Sequence, residues 1–309
     1  MRRLVLFLLG TITAVAQERK PLTLPEAIQF VGSSVVSVQC VFDHLPEQTR
    51  QALPAPFYRW VCGSGFIVND EGYVITALHV VEAFENTNKI PVQQGQQTTQ
   101  MPSGTGRLVA GIALHVDGQS IEMRESTFDI QMSVIDRDKK RDIALLKMVR
   151  SPFFNRGDPP IMITQKEQVN SPTPGVATFD TKRPAEGESI AVSGYPLYGL
   201  AMKTNSGTIA SSWSTDKRQK PGDLVDSYVT DMQVNHGDSG APVYSIKTGA
   251  VIGLCDSFDP AIVTDTDKNP VVTANGKALE YNSGLANIVP AKYIVQLLDK
   301  NKVKWFPVR

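Results

Sequence analysis

"GSGFIVNDEGYVITALHVV", residues 63–81, contains two apolar, β-branched runs on either side of a polar "NDEG". Residues 63–68 and 73–81 are each about strand length, and Asn69–Gly72 has turn chemistry, so the stretch predicts a hairpin. The same grammar recurs along the chain. "SSVVSVQCVF" (33–42) comes before it, and "GRLVAGIALHV" (106–116), "FDIQMSVID" (128–136) and "DIALLKM" (142–148) follow. A proline-rich stretch at 158–187 intervenes. Beyond it lie "ESIAVSGYP", "KTNSGTIASSW", "SYVTDMQV", "APVYS", "AVIGLCDSF" and "GLANIV". About six strands, a linker and about six more predict an all-β protein of two closed antiparallel barrels. Helix is expected only at 24–31, briefly around 80–85, and at 291–300 near the C-terminus.

Arg2 and Arg3 precede a short apolar run that ends in small residues at Ala14 and Ala16, the pattern of a secretory signal peptide over 1–16. The expected order is then an N-terminal segment at 17–30, a first barrel at 31–157, the linker at 158–187 and a second barrel with its terminal helix at 188–309. An exported protein with no stable membrane span after cleavage is expected. The 31 Lys and Arg balance the 31 Asp and Glu, so no net field draws the chain to nucleic acid. The four histidines and three cysteines lack metal-ligand spacing, and no metal or cofactor is expected. Residues 87–105, rich in Gln and Thr, and residues 259–282, rich in Asp, Asn and Thr, read as long surface loops.

"VNHGDSGAPVYS", residues 234–245, sets Ser239 between an acid and two small residues. A serine hydroxyl becomes a competent nucleophile only when a base takes its proton, usually a histidine oriented by a carboxylate. His79 follows Thr76 and Ala77 at the end of an apolar run and suits the base better than His44, His115 or His236. Asp142 stands directly before an apolar strand and suits the carboxylate, but spacing alone leaves Asp129, Asp136 and Asp138 open as rivals. Gly237 and Gly240 permit a sharp turn in which the N–H groups of Gly237 and Ser239 converge as an oxyanion hole.

In order along residues 31–298, "GSGFIVNDEGYVITALHVVE", "RDIALLKM", "GESIAVSGYPLYGL", "TNSGTIAS", "TDMQVNHGDSGAPV" and "GAVIGLCDSF" resemble trypsin-like serine proteases, and their HtrA/Deg branch in particular. The resemblance implies a chymotrypsin-like double barrel with His79 as general base, Asp142 as its orienting carboxylate and Ser239 as nucleophile. It implies polypeptide substrates, leaves a homo-oligomer open, and makes a PDZ domain unexpected after residue 298. It also places a specificity pocket with Gln233 at the floor and with Asp256, Ser257, Phe258, Gly284 and Ala286 in the walls. An uncharged Gln233 disfavours Lys or Arg before the cleaved bond, whereas a protonated His236 at the entrance favours acidic residues. Asp238 stands where HtrA proteins usually carry Asn, and His236 where they commonly carry Pro. The alternative function is a catalytically silent binding protein or chaperone on the same fold. Cys40 and Cys62 fall on neighbouring strands of the first barrel, so a disulfide between them with Cys255 free is expected. The alternative is three buried small hydrophobes.

Overall fold

The computed structural model describes residues 20–116, 119–122, 130–149, 174–199, 201–213, 226–273 and 276–308. The expected signal peptide and most of the proline-rich linker lie outside these residues. A first helix, α1 (Leu24–Gly32), leads into the nine strands of the first half, beginning with β1 (Val35–His44), which is followed by α2 (Glu47–Ala52). β2 (Tyr58–Ile67), β3 (Tyr73–Ala77), α3 (Leu78–Glu85), β4 (Lys89–Gln94) and β5 (Gln97–Pro102) follow. The first half ends with β6 (Thr105–Val116), β7 (Gln119–Glu122), β8 (Ile130–Asp138) and β9 (Ile143–Met148).

β1, β2, β3, β9, β8 and β6 pair in that order, and β6 pairs back with β1 to close a six-stranded ring. Closure removes the exposed strand edges that an open sheet would present. The "NDEG" turn joins β2 to β3 as expected, with Phe66 opposite Ile75 and Ile67 opposite Val74. Cys40 on β1 and Cys62 on β2 are joined as a disulfide, their Cα atoms 5.9 Å apart, while Cys255 is free and buried.

The second half contributes β10 (Thr178–Phe179), β11 (Ser189–Gly194), β12 (Lys203–Trp213), β13 (Ser227–Thr230) and β14 (Pro242–Ser245). β15 (Val251–Ile262), β16 (Glu280–Pro290), α4 (Ala291–Lys300) and β17 (Phe306–Pro307) complete it. β14, β11, β12, β13, β16 and β15 form a second ring, closed by pairing of β14 with β15. The fold is the chymotrypsin-like double barrel. Short β10 and β17 extend it by parallel pairing, so residues 178–179 are strand rather than linker.

Two expected loops prove to be structured. Residues 87–105 contain the β4–β5 hairpin, because Ile90 and Val92 recur at the period of two and are both buried. Gly95, at φ +62°, makes the tight turn between them. Residues 259–273 and 276–282 extend the β15–β16 hairpin, with further bridges between Thr264 and Pro270 and between Val272 and Ala278. Gln- or Asp-rich composition obscured both because an exposed hairpin needs little apolar surface of its own.

α4 does not simply end the second barrel. Ile294, Leu297 and Leu298 are buried in one continuous core with Phe66, Ile75 and Leu145 of the first barrel and Leu254 of the second. Leu298 is fully buried there, so Leu298→Ala should lower unfolding free energy by about 2–5 kcal/mol, measured by urea denaturation. A loss below the size of an ordinary surface substitution would mean that the helix is not part of that core.

Candidate active site

α3 begins without a side-chain cap of its own, which leaves the N–H groups of its first turn in need of acceptors. Asp142, in the turn before β9, supplies them. Its carbonyl accepts from the Leu78 N–H at 2.9 Å, and its Oδ1 accepts from the His79 N–H at 2.9 Å. Its Oδ2 lies 2.5 Å from His79 Nδ1. To deliver these contacts Asp142 takes φ +54°, a conformation that Asp tolerates better than most residues. Two-atom contact with one carboxylate fixes the imidazole and assigns the proton to Nδ1, leaving Nε2 as the acceptor. His79 therefore sits on the first turn of a helix, not on a strand end. β3 stops at Ala77 because the chain turns to meet Asp142.

Burial works against the His79 imidazolium, but the hydrogen bond and charge of Asp142 outweigh it. With the further charges of Asp256 and Glu82, they raise the imidazole above its ordinary value. Asp142 is buried too, which pushes its carboxyl up, yet the bond to His79 and the charge of the imidazole bring it below the usual range.

Ser239 lies in the turn between β13 and β14, and with His79 it lines one cavity of about 400 Å³. Its hydroxyl donates to the Asp256 carbonyl at 3.2 Å. Gly237 has φ +99°, and a Cβ there would lie 2.3 Å from the Tyr195 carbonyl oxygen, so only glycine fits. Gly240 has φ +87°, and a Cβ there would lie 2.1 Å from the Ser64 carbonyl oxygen. The tight turn leaves the N–H groups of Gly237 and Ser239 without an acceptor among the described residues. The intervening Asp238 N–H bonds to the Asn235 carbonyl at 3.0 Å. The arrangement offers two amides to a developing negative charge, provided that the turn is held rigid.

Ser64 holds it. This fully buried side chain donates to the Gly237 carbonyl at 2.6 Å and accepts from the Tyr195 N–H at 2.8 Å. The Ser64 N–H also donates to the Ser239 carbonyl at 2.8 Å. Sequence reading treated Ser64 as one more strand residue, although the glycines on both sides were a sign of close approach. Asp238, 2% exposed, accepts from the Asn235 N–H at 2.9 Å. Burial pushes its carboxyl up to about 6, against the pull of that bond and of Lys203.

The expected pocket is assembled only in part. Asp256, Ser257, Phe258 and His236 line the cavity, joined by Val234, Pro260 and Glu280. Gln233 does not: it is exposed, and its carbonyl accepts from Asn205. Ala286 is fully buried in the core of the second barrel, and Gly284 lies on β16 outside the cavity lining. Gln233 lies beyond the end of β13, in the segment that leads to Ser239, where its neighbours Met232 and Val234 take the buried positions and leave it outward. The His236 ring meets Phe258 edge-on at 5.6 Å. His79, Asp142 and Asp256 each bring a side-chain N or O within 4.8 Å of the others. The imidazole Nδ1 is already engaged by Asp142, so this cluster reads as a hydrogen-bonded set.

The sequence profile of the trypsin-like peptidase domain matches residues 63–254. Serine protease HTRA1 of Xenopus tropicalis is 25% identical over 232 residues, which cover 75% of this chain and 37% of that protein. Serine protease HTRA4 of Mus musculus is 26% identical over 247 residues, covering 79% of this chain and 38% of that protein. A probable periplasmic serine endoprotease, DegP-like, of Halomonas elongata is 25% identical over 193 residues, covering 62% and 28%. The chain thus spans less than two fifths of the length of these relatives. Among solved structures, the HtrA-type protease AlgW with decapeptide has the same fold, with a TM-score of 0.53 and 14% identity over 90% of this chain and 67% of that one. The matched span includes His79, Asp142 and Ser239, and the chain belongs to the trypsin-like peptidase family.

Proposed function

We propose that this protein is an exported serine endopeptidase that hydrolyses peptide bonds through an acyl-enzyme on Ser239. The observation that carries the reading is the two-atom grip of Asp142 on His79 beside the same cavity as Ser239. In this mechanism the Ser239 hydroxyl turns from the Asp256 carbonyl to His79 Nε2, which takes its proton as Oγ attacks the substrate carbonyl. Catalytic hydrogen bonds of this kind are often unformed before substrate arrives. The Gly237 and Ser239 amides take the oxyanion, His79 returns the proton to the leaving amine, and water then releases the acyl group. Asp142 keeps the imidazole in one tautomer and stabilises the imidazolium. Export is supported by the signal-like residues 1–16 and by the periplasmic DegP-like relative. Among the described residues no helix is long and apolar enough to cross a membrane.

The silent binding protein is the second reading, because Ser239 rests on the Asp256 carbonyl rather than on the imidazole. A fluorophosphonate probe separates the two, since it labels only an activated serine. Labelling is expected, and Ser239→Ala and His79→Ala should each cut casein cleavage by about 10⁴-fold or more with circular dichroism unchanged. Either variant cleaving at the wild-type rate overturns the assignment.

Ser64→Ala tests the support of the oxyanion turn. Losing the bond to Gly237 leaves a buried carbonyl unpaired and should slow acylation by about ten-fold or more. Single-turnover labelling measures this rate, and an unchanged rate would show that the turn holds itself.

Val234, Phe258 and Pro260 give the cavity an apolar lining, and the Glu280 carboxylate beside them disfavours an acidic guest. A peptide-library profile should show uncharged, small-to-medium side chains before the cleaved bond. Dominant cleavage after Glu would transfer selection to His236, and dominant cleavage after Lys or Arg would make Glu280 or Asp256 an ionic partner.

A further inference from the structure

Asp256 lies on β15, and it touches the catalytic set at two corners. Its main-chain carbonyl accepts from the Ser239 hydroxyl at 3.2 Å. Its carboxyl lies within 4.8 Å of both the Asp142 carboxylate and a His79 ring nitrogen. Two carboxyls this close repel each other when both are ionised, and each adds its charge to the field at the imidazole. Ser257 donates to Asp256 Oδ2 at 3.1 Å, which fixes the side chain from its other end.

Resting on the serine-peptidase reading, we propose that Asp256 is a positioning residue whose carboxylate sets a second negative charge beside Asp142 and thereby sets the basicity of His79. The neighbouring charges agree with this. From α3 come His79 and Glu82, from the turn before β9 comes Asp142, and the charges of Asp238 and Asp256 both act on the buried Cys255 thiol. Among the described residues neither carboxylate has a Lys or Arg ion-pair partner. Burial, then the hydrogen bond and charge of Asp142, push the Asp256 carboxyl up to about 6, against Ser257 and His79. Above that pH the pair carries two negative charges and holds the imidazolium more strongly. Below it one charge is gone, and the imidazolium is held less strongly.

The test is a titration that does not depend on turnover. His79 is followed by NMR in the full-length protein and in its Asp256→Asn and Asp256→Ala variants, with His79→Gln assigning the signal. Removing the second negative charge should lower the His79 midpoint by about half a pH unit or more in both variants. The Asp256 carboxyl carbon of the unaltered protein should titrate above the ordinary aspartate range. On a peptide substrate, Asp256→Ala should lower kcat by about ten-fold with little change in KM. Asp256→Asn, which keeps the size of the side chain but not its charge, should lose about as much. An unmoved His79 midpoint, an ordinary Asp256 titration, or a loss confined to KM would overturn the proposal and leave Asp256 as pocket wall. If the wild type fails to label with fluorophosphonate, the peptidase reading falls, whereas the two titrations still decide the pairing.

Discussion

The bond from the Ser64 N–H to the Ser239 carbonyl ties the two barrels together at the point where chemistry would occur. Each ring closes on its own strands, so the strand pairing of each barrel is complete without the other. The site, however, exists only where they meet: His79 and Asp142 come from the first barrel and Ser239 from the second. A nucleophile and base held on separate bodies need their separation fixed to within a fraction of an ångström. Ser64 supplies that constraint with three hydrogen bonds, to Ser239, Gly237 and Tyr195. Gly240 lets the backbones approach so closely that no side chain fits between them.

Electrostatics adds a second layer. Asp142 serves at once as helix cap and as imidazole partner, so the N-terminus of α3 and the orientation of His79 are one problem with one solution. Acidic groups are then crowded into the same region by Asp256 and Asp238, both with carboxyls pushed up to about 6 by burial. Among the described residues neither carboxyl forms an ion pair with Lys or Arg, a placement that costs stability and persists where it serves a purpose.

Much of the architecture was legible because strand alternation and turn residues are local signals, and "NDEG" between two β-branched runs is among the clearest. His79 and Ser239 were legible for a related reason: each stands in a distinctive local setting. Asp142 was not separable from Asp129, Asp136 and Asp138 until family resemblance was added, since the backbone turn that aims it depends on α3. The roles of Ser64 and Asp256 were invisible for the same cause. Each depends on a contact between segments far apart in the chain, Ser64 with Gly237 and Asp256 with Asp142. Gln233 misled because residue spacing was carried over from relatives, while in the segment beyond β13 its neighbours Met232 and Val234 take the buried positions. The hairpin at 87–105 was hidden by polar composition, although the spacing of Ile90 and Val92 already carried a period of two.

The placement of α4 has a consequence for how the molecule comes into being. Ribosomes deliver the first barrel long before residues 291–300, yet part of that barrel's apolar core is roofed by Ile294, Leu297 and Leu298. Until the last turns of helix emerge, the nascent chain carries an uncovered greasy face and a Ser239 loop without a finished neighbour. Late, non-local contacts of this sort slow folding and leave unfinished chains vulnerable to aggregation. They also mean that a truncated product, lacking its roof, is a poor candidate for an active hydrolase inside the cell that makes it.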